Sequence, residues 1–405
     1  MKQNQSLSNP GYLKLELLVK GVRLDRSALV APTIVKALAL SESLGAPLEV
    51  SLILDRSVMV NIPVLECLNR QTPYSLGMEN GRYLIRSATE SVEVEVAPPP
   101  AFYEKRTSSG LSMGDVGRVY GEYLVVSPKN ECVFISKELP CRYCDLNAKM
   151  APDRSVSDLV ETAAAAAAEG IVSSVCFNVG FTLGPDGGIK LIEEYVRAIK
   201  SELGLLIAVQ AQPPASDEWV DYTYAAGIDS LAYNLEVYDP ELFDMVAPGK
   251  ASMIGRSRYL EALRRAAKVF PEGAVVSNLI IGLEPLASTM KGIDYLTSMG
   301  VVPTLPIVGP VVRRQLGTEA AFDTADIAKV FLHLQAALNR NRLAPSLISH
   351  FNMAINAIEG QFFGGEAPLT KRLPAVLRSS AGSKIALGIR RKLRVRPTHK
   401  EDGEL

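Results

Sequence analysis

Residues 172–210, VSSVCFNVGFTLGPDGGIKLIEEYVRAIKSELGLLIAVQ, contain the pattern that decides the fold. A short β-rich run, VSSVCFNV, is followed by the helical stretch IKLIEEYVRAIKSELG and then by a second β-rich run, LLIAVQ. A strand, a helix and a strand in this order predict two parallel strands joined by a crossover helix. Gly204 stands between the helix and the second strand, where a left-handed residue that ends the helix is expected.

The same order of elements extends in both directions and predicts six β/α units over residues 129–320. The six predicted strands are CVFIS, VSSVCFNV, LLIAVQ, IDSLAYNL, AVVSNLII and VVPTLPIV. Gly170, Gly227 and Gly300 precede strands as Gly204 does, and SVSD at 155–158 predicts a capping box at a helix start. Six units suit either an open barrel or a doubly wound sheet, and in both folds ligands bind at the carboxyl ends of the strands.

The remaining residues divide into three regions. Residues 1–128 predict an α+β accessory module, with a helix at TIVKALALSESLG and strands at LEVSLILD and SVEVEVA. APPPAFYEKRTSSG predicts an extended connector whose Phe102 and Tyr103 are either packing residues, which we favour, or substrate-facing ones. Residues 321–370 predict a helical extension. Residues 371–405 predict a basic tail, which is either solvated and flexible or an electrostatic contact for an acidic partner.

Composition narrows the class of protein. The 405 residues carry a net charge of -1, so the chain has no overall field that would attract nucleic acid. No apolar run reaches the length of about 18 residues that would predict a membrane span. The first residues lack the pattern of a signal peptide, so we expect a cytoplasmic protein whose clustered cysteines bind metal or do redox chemistry.

Three of the five cysteines fall within CVFISKELPCRYC, residues 132–144. A structural zinc site needs four Cys or His ligands, and all three histidines lie about 190 residues or more downstream. Three thiolates at Cys132, Cys141 and Cys144 suit a [4Fe–4S] cluster in which the fourth iron stays open for a ligand. An iron–sulfur electron carrier or cluster scaffold, and a zinc-stabilised binding protein, remain as alternatives.

This cluster motif resembles that of the radical S-adenosylmethionine (SAM) superfamily, over roughly residues 129–320. The usual motif has three residues between the first two cysteines, whereas this chain has eight, as in variants with longer first spacings. The resemblance implies a partial or near-complete (β/α) barrel. It also implies that Tyr143, just before the last cysteine, packs near the adenine of SAM.

The run AYNLEVYDPELFDMVAPGKASMIGRSRYLEAL resembles the fourth strand and following helix of the biotin-synthase-like branch. The resemblance implies that Asn234 and Glu236 contact SAM and that Arg256 binds its carboxylate, for which a guanidinium fork is suited. In SNLIIGLEP, it implies that Ile281 and Gly282 approach the adenine. After the second strand, Gly180 matches part of a segment that holds the methionine amine.

Biotin synthase carries a second cluster, and Cys176 matches one of its ligand positions. One cysteine cannot hold a [2Fe–2S] cluster, so Cys176 is predicted to be a small core residue. The resemblance implies an enzyme that cleaves SAM to methionine and a 5′-deoxyadenosyl radical. The radical would abstract hydrogen from a small or peptide-borne substrate, leading to rearrangement, cleavage, coupling or methylation. It also implies an electron donor such as flavodoxin or ferredoxin.

Overall fold

The computed structural model describes residues 6–43, 49–54, 58–64, 72–129, 131–144, 153–309, 312, 323–343, 354–355 and 357–363. Its strands are β1 (Arg23–Leu24), β2 (Glu49–Leu54), β3 (Val58–Pro63), β4 (Ser75–Glu79), β5 (Arg82–Arg86), β6 (Ser91–Val96), β7 (Gly117–Tyr120), β8 (Tyr123–Val126), β9 (Ser174–Asn178), β10 (Leu206–Ala211), β11 (Ser230–Tyr233), β12 (Val275–Asn278), β13 (Val302–Pro306) and β14 (Ala354–Ile355).

Its helices are α1 (Pro10–Lys20), α2 (Arg26–Leu29), α3 (Pro32–Ser43), α4 (Met113–Val116), α5 (Val133–Ser136), α6 (Val156–Ala168), α7 (Ile189–Leu203), α8 (Asp217–Ala225), α9 (Pro240–Val246), α10 (Pro248–Met253), α11 (Arg256–Val269), α12 (Leu286–Ser298) and α13 (Thr324–Arg340). Two 3₁₀ helices cover Ala101–Glu104 and Ala357–Phe363. Among the residues described, no helix is both long and apolar enough to cross a membrane.

The larger sheet has eight strands in the order β14-β13-β12-β11-β10-β9-β8-β7. Strands β8 to β13 are parallel, whereas β7 and β14 pair antiparallel at the two edges. Because the parallel strands follow one another in chain order, every crossover runs in the same direction, as in a (β/α) barrel. A doubly wound sheet would reverse its strand order in the middle. The sheet is therefore the partial barrel of the two folds that the sequence left open.

Most predicted elements of this region are confirmed. Five of the six predicted strands coincide with β9 to β13, and the helices between them fall where the sequence placed them. The four glycines that precede strands have positive φ, from 59° at Gly204 to 95° at Gly227. Ser155 and Asp158 form the predicted capping box at the start of α6.

The predicted first strand, CVFIS, is wrong, because Cys132 is instead the N-cap of helix α5. The first parallel strand is β8, which pairs with β9 and lies within the region assigned to the accessory module. A short, mostly apolar run predicts a strand or a buried helical turn equally well. Here residues 133–136 form the helical turn α5, whose Phe134 stacks on Phe181 with ring centroids 4.4 Å apart.

The N-terminal sheet has six strands in the order β1-β4-β5-β6-β2-β3. A parallel bridge between Val22 and Val64 joins its two edges, so the sheet closes on itself. In β2 and β3, every second residue is fully buried, and these residues are Val, Leu and Ile. Large inward side chains therefore fill this ring. The predicted helix at TIVKALALSESLG and the predicted strands at LEVSLILD and SVEVEVA are confirmed as α3, β2 and β6.

Helix α1 connects the N-terminal ring to the C-terminal segment. Lys14, which is fully buried, forms an ion pair with Glu359 at 2.9 Å. Burial alone would raise the pKa of Glu16, but hydrogen bonds from Lys20, Thr324 and Tyr74 lower it below its usual value. The accessory module is thus held to α13 and the last 3₁₀ helix by buried polar contacts.

The structure of the connector agrees with its prediction in part. Phe102 is fully buried, and the Tyr103 hydroxyl accepts a hydrogen bond from the Val119 amide at 2.7 Å. Residues 101–104 form a 3₁₀ helix rather than a wholly extended chain. Within the predicted extension at 321–370, α13 is helical, and the predicted basic tail at 371–405 lies outside the described residues.

Candidate active site inside the partial barrel

A cavity of about 530 Å³ lies inside the curved sheet. Strands β9 to β13, with the residues just after them, each contribute lining residues that include three at alternate positions, which point to the same face. By position along each strand, the lower layer, nearest the amino ends, is Cys176, Ala208, Ala232, Val276 and Val302. Ser230, which pairs with Ala208, and Tyr123, which pairs with Ser174, also line this end of the cavity. The middle layer is Asn178, Gln210, Asn234, Asn278 and Thr304, and the upper layer is Gly180, Gln212, Glu236, Ile280 and Pro306.

The cysteine-bearing loop covers the upper layer. Cys132, Cys141 and Cys144 are thiols outside any disulfide, and all three line the cavity. The loop is held by the Cys144 amide, which donates to the Cys141 carbonyl at 3.1 Å, and by the Arg142 amide, which donates to the Val246 carbonyl at 2.9 Å. The loop therefore presents three thiols to one enclosed space.

No three Cys, His, Asp or Glu side chains in the described part of the chain come close enough together to hold a single metal ion. A cluster does not require such convergence, because each thiolate binds a different iron. Burial raises the pKa of the Cys141 thiol, and the nearby positive charge of Lys250 acts in the opposite direction. Lys250 thus favours the thiolate form that binds iron.

Two glycines let the cysteine loop approach the sheet and its helices. A Cβ on Gly180 would lie 2.0 Å from the Glu131 carbonyl oxygen, and a Cβ on Gly249 would lie 2.6 Å from the Leu139 carbonyl oxygen. Both contacts are with backbone, which cannot move aside as a flexible side chain can. Gly180 therefore supports the position of Cys132, in addition to lining the cavity.

Glu236 lies at the carboxyl end of β11 with a positive φ of 70°, an uncommon conformation for a residue that has a side chain. The conformation is held on both sides, because the Glu236 amide donates to the Asn278 carbonyl and its own carbonyl accepts from the Ile280 amide. Strained backbone of this kind gathers at functional sites. The side chain is 7% exposed and points into the cavity.

Lys250 is the partner of Glu236. Its ammonium lies 3.3 Å from Glu236 Oε1 and donates to the Asn234 carbonyl at 2.8 Å. Burial raises the pKa of Glu236, whereas Lys250 opposes that rise. The second carboxylate oxygen, Oε2, is buried and has no hydrogen-bond partner. An acceptor left open beside a buried cation is the feature expected of a ligand site.

Tyr143 completes this corner of the cavity. Its ring lies 5.8 Å from the Lys250 ammonium, and the ring of Tyr259 lies 5.4 Å from the same atom. The Tyr143 hydroxyl is buried without a hydrogen-bond partner, although it lies near enough to Cys141 to affect the thiol pKa. Burial raises the pKa of Tyr143 well above its usual value, so the phenol stays neutral.

The middle layer is a row of neutral polar side chains. Asn234 Oδ1 accepts from the Asn278 backbone amide at 3.1 Å, and Asn234 Nδ2 donates to Gln210 Oε1 at 3.2 Å. The Thr304 hydroxyl donates to Asn278 Oδ1. Gln210 Nε2 has only a 4.0 Å contact with Cys176 Sγ. Asn234 thus lines the cavity and belongs to a connected row, and its predicted contact with SAM stays a prediction.

Seven of the ten predicted site residues line this one cavity: Cys132, Cys141, Tyr143, Cys144, Gly180, Asn234 and Glu236. The other three do not. The Arg256 guanidinium donates to the Tyr238 carbonyl at 2.6 Å and packs on the Tyr238 ring. Ile281 is fully buried and Gly282 follows it with a φ of 104°, while Ile280 takes the place on the cavity wall. Their roles stay predictions.

The sequence-based interpretation missed Lys250. Long lysines usually lie at the surface, and nothing in the composition of APGK marks this one as buried. A local signal was present, because a proline such as Pro248 is typical of the first turn of a helix, and helix α10 begins there with Lys250 in its first turn.

Comparison with known proteins gives the class of this chain. The family model of the Radical SAM superfamily matches residues 130–300, so this segment is a radical SAM domain. The assignment made from the cysteine motif is confirmed. Members of this superfamily are enzymes that use a [4Fe–4S] cluster and SAM.

Two curated relatives extend the comparison. A Bacteriochlorophyllide c C-7(1)-hydroxylase of Chlorobaculum limnaeum is 31% identical over 108 residues, which are 26% of this chain and 27% of the relative. Lipoyl synthase 1, mitochondrial, of Drosophila yakuba is 30% identical over 169 residues, which are 39% of this chain and 44% of the relative. This chain therefore spans a quarter to under half of the length of these relatives. The likeness to lipoyl synthase fits the biotin-synthase-like branch.

Solved structures give weaker likenesses. Streptococcus suis SuiB bound to S-adenosylmethionine aligns with a TM-score of 0.41 and 15% identity, over 55% of this chain and 49% of that chain. HydG, a maturase of the [FeFe]-hydrogenase, aligns with a TM-score of 0.44 and 16% identity, over 56% of this chain and 52% of that chain.

Proposed function

We propose that this chain is a radical SAM enzyme that abstracts hydrogen from a small or peptide-borne substrate held inside the partial barrel. One observation carries the proposal: the three thiols of the cysteine loop, Tyr143 and the Glu236–Lys250 pair all line a single cavity. Each feature alone has a structural explanation. Their convergence at the carboxyl ends of parallel strands, where such barrels bind ligands, supports a catalytic role for them.

The residues present fit a cluster and its ligand. Cys132, Cys141 and Cys144 would hold three irons, and the donor set leaves a fourth iron open. When bound and reduced, the cluster supplies one electron that cleaves the sulfonium of SAM to methionine and a 5′-deoxyadenosyl radical, which takes a hydrogen atom from the substrate. Burial raises the pKa of the Cys141 thiol, and the positive charge of Lys250 opposes that rise, which favours the thiolate that iron binding requires.

The Glu236–Lys250 pair suits the amino-acid end of SAM or its ribose. Glu236 Oε2 is an open acceptor for an ammonium or a hydroxyl group, and the Lys250 ammonium is a donor for a carboxylate. We place Lys250 in the role that sequence resemblance gives to Arg256, because Lys250 lines the cavity and the Arg256 guanidinium binds Tyr238. Asn234, Tyr143 and Gly180 would surround the same ligand.

The cavity walls protect a radical. The lower layer offers Ala, Val and Cys side chains, with Ser230 and Tyr123 as the polar residues beside them, so water has few partners there, and a dry site limits the quenching of reactive species. For the electron, we propose a small redox protein such as flavodoxin or ferredoxin. Lys137 and Arg142 lie exposed on the cysteine loop, where they could attract an acidic donor.

The test starts with protein prepared under anaerobic conditions. We expect a brown protein with about four irons that forms 5′-deoxyadenosine when SAM and dithionite are supplied. Cys132→Ala, Cys141→Ala and Cys144→Ala should each lose iron. Cys176→Ala, which removes a thiol from the same cavity but outside the cysteine loop, should keep the iron and serves as the matched control.

The outcomes separate the alternatives. A full cluster without SAM binding would make the chain an electron carrier or scaffold. A colourless, zinc-containing protein would indicate the zinc-stabilised binding protein. If Cys132→Ala keeps a full cluster, the eight-residue spacing does not define the motif and the proposed ligand set is wrong.

A further inference from the structure

We propose that the lower and middle layers of the cavity form the substrate site, and that this site takes an uncharged substrate with an apolar body and a carbonyl or amide group. That the ligand of this site is a substrate rests on the proposed function. The preference of the site for an uncharged ligand follows from its own residues. A small molecule or one side chain of a peptide could supply this group.

The first observation is that the lower layer leaves room. The interior of a (β/α) barrel is normally filled by bulky branched side chains. Here the lower inward positions on β10 and β11 are small, at Ala208, Ser230 and Ala232, and those on β12 and β13 are Val276 and Val302. The cavity therefore extends below the cysteine loop by two layers. Its floor offers mostly apolar contacts for the body of a ligand, because the Ser230 hydroxyl already donates to the Ala274 carbonyl at 2.9 Å.

The second observation is that the middle layer fixes its own amide orientations. The Asn278 backbone N–H donates to Asn234 Oδ1, and a backbone N–H can only donate, so Asn234 Nδ2 must face Gln210. Gln210 meets it with Oε1, which turns Gln210 Nε2 toward the interior. That nitrogen has two N–H groups, and its contact with Cys176 Sγ is 4.0 Å long.

Asn278 is oriented from both sides as well. Its Oδ1 accepts a hydrogen bond from the Thr304 hydroxyl. Its side-chain N–H lies near Glu236 and lowers the pKa of that carboxyl group, although burial has the larger effect and raises it. An amide nitrogen has two N–H groups, so one remains when Glu236 takes the other. Gln210 and Asn278 therefore present neutral donors to the middle of the cavity. Such donors match a carbonyl oxygen.

The third observation concerns charge. Of the described residues that line the cavity, Glu236 and Lys250 are the charged ones, and they lie at the upper layer, paired at 3.3 Å. A carboxylate or an ammonium group in the two lower layers would lose its hydration without gaining an opposite charge, which is costly. A neutral amide loses less and regains hydrogen bonds from Gln210 and Asn278.

The experiment uses three probes of one shape: 3-methylbutanamide, 3-methylbutanoate and 3-methylbutylammonium. Binding is measured by ligand-observed NMR on the cluster-loaded protein with SAM and without reductant, so that no turnover occurs. We expect the amide to bind at least about tenfold more tightly than either charged probe. Ala232→Leu, which fills the floor, should abolish amide binding while SAM still binds. Ala225→Leu, which adds the same volume on the exposed face of α8, should change neither.

Three results would overturn the inference: a charged probe that binds as tightly as the amide, amide binding that survives Ala232→Leu, or no amide binding up to about 20 mM. The proposed function fails in a different assay, because it predicts iron and 5′-deoxyadenosine. A protein that binds the amide but never cleaves SAM would keep the neutral site and lose the radical enzyme. A protein that cleaves SAM but prefers a charged probe would do the reverse.

Discussion

The two sheets of this molecule use alternation in opposite ways. In the N-terminal ring, the inward positions of β2 and β3 are Val, Leu and Ile, each nearly or fully buried against the others. In the partial barrel, many of the inward positions are small or polar, and they line a cavity of about 530 Å³. A filled interior serves stability, whereas an interior lined by Ala, Asn and Gln is available for a ligand.

The buried ion pairs differ in the same way. Lys14 and Glu359 connect helix α1 to the C-terminal segment, and the Lys14 ammonium donates to both carboxylate oxygens of Glu359. Glu236 and Lys250 lie at the cavity, where Glu236 Oε2 has no partner. The first pair is closed by the protein alone. The second is complete only with a ligand.

The largest effect is expected at the closed pair. Lys14→Met removes the cation that pairs with the buried Glu359 carboxylate, and breaking a buried pair from one side costs about 3–5 kcal/mol of unfolding free energy. Urea unfolding measures the loss. The matched control is Lys36→Met, since the exposed Lys36–Glu104 pair at 2.8 Å is worth about 0–1 kcal/mol. Equal losses in the two variants would contradict the distinction between buried and exposed pairs.

The second prediction compares apolar side chains of the two interiors. Leu52→Ala, in the filled ring, leaves a cavity and should cost about 2–5 kcal/mol of unfolding free energy. Val276→Ala, in the cavity wall of the partial barrel, faces space that is already open, so it should cost about 1 kcal/mol. Chemical denaturation of both variants tests this. A Val276→Ala loss as large as that of Leu52→Ala would mean that the barrel interior is packed.

Part of the fold and of the candidate site could be predicted from the sequence. Alternation and β/α order predicted strands β9 to β13 correctly, because period and turn glycines are local properties. The closure of the N-terminal sheet could not be predicted from local patterns, because the Val22–Val64 bridge joins residues 42 positions apart. The three cysteines could be placed in one site because they share a loop. Lys250 could not, because its burial depends on how α10 packs beneath the cysteine loop.

The third prediction concerns the open pair. Lys250→Met should weaken SAM binding by about ten- to a hundredfold, because a charge-assisted hydrogen bond is worth about 1.5–3 kcal/mol. Equilibrium binding of SAM to the cluster-loaded protein gives the affinity, with iron content measured alongside it. Arg256→Met is the comparison that decides between structure and sequence resemblance. If Arg256→Met loses the affinity and Lys250→Met keeps it, our placement of Lys250 is wrong.

The smallest effect is expected where the chain passes from one sheet to the other. Asp158, in the capping box of α6, accepts a hydrogen bond from Ser109 at 2.5 Å, which ties the connecting segment to the partial barrel. Burial raises its pKa, but hydrogen bonds from Ser109, Ser155 and Thr107 bring the pKa down to about 2. A depressed carboxyl pKa stabilises the fold above the unfolded value near 4, and this stabilisation is lost as the pH falls toward 2.

Asp158→Asn should therefore cost about 1 kcal/mol at pH 6, the usual contribution of a helix cap and its partner, and the difference from wild type should shrink below pH 4. Urea unfolding at several pH values measures this trend. Asp239→Asn is the control, because Asp239 caps α9 within the partial barrel and makes no contact with the connecting segment that the structure describes. A difference that stays constant down to pH 3 would show that the Asp158 charge does not stabilise the connection between the two sheets.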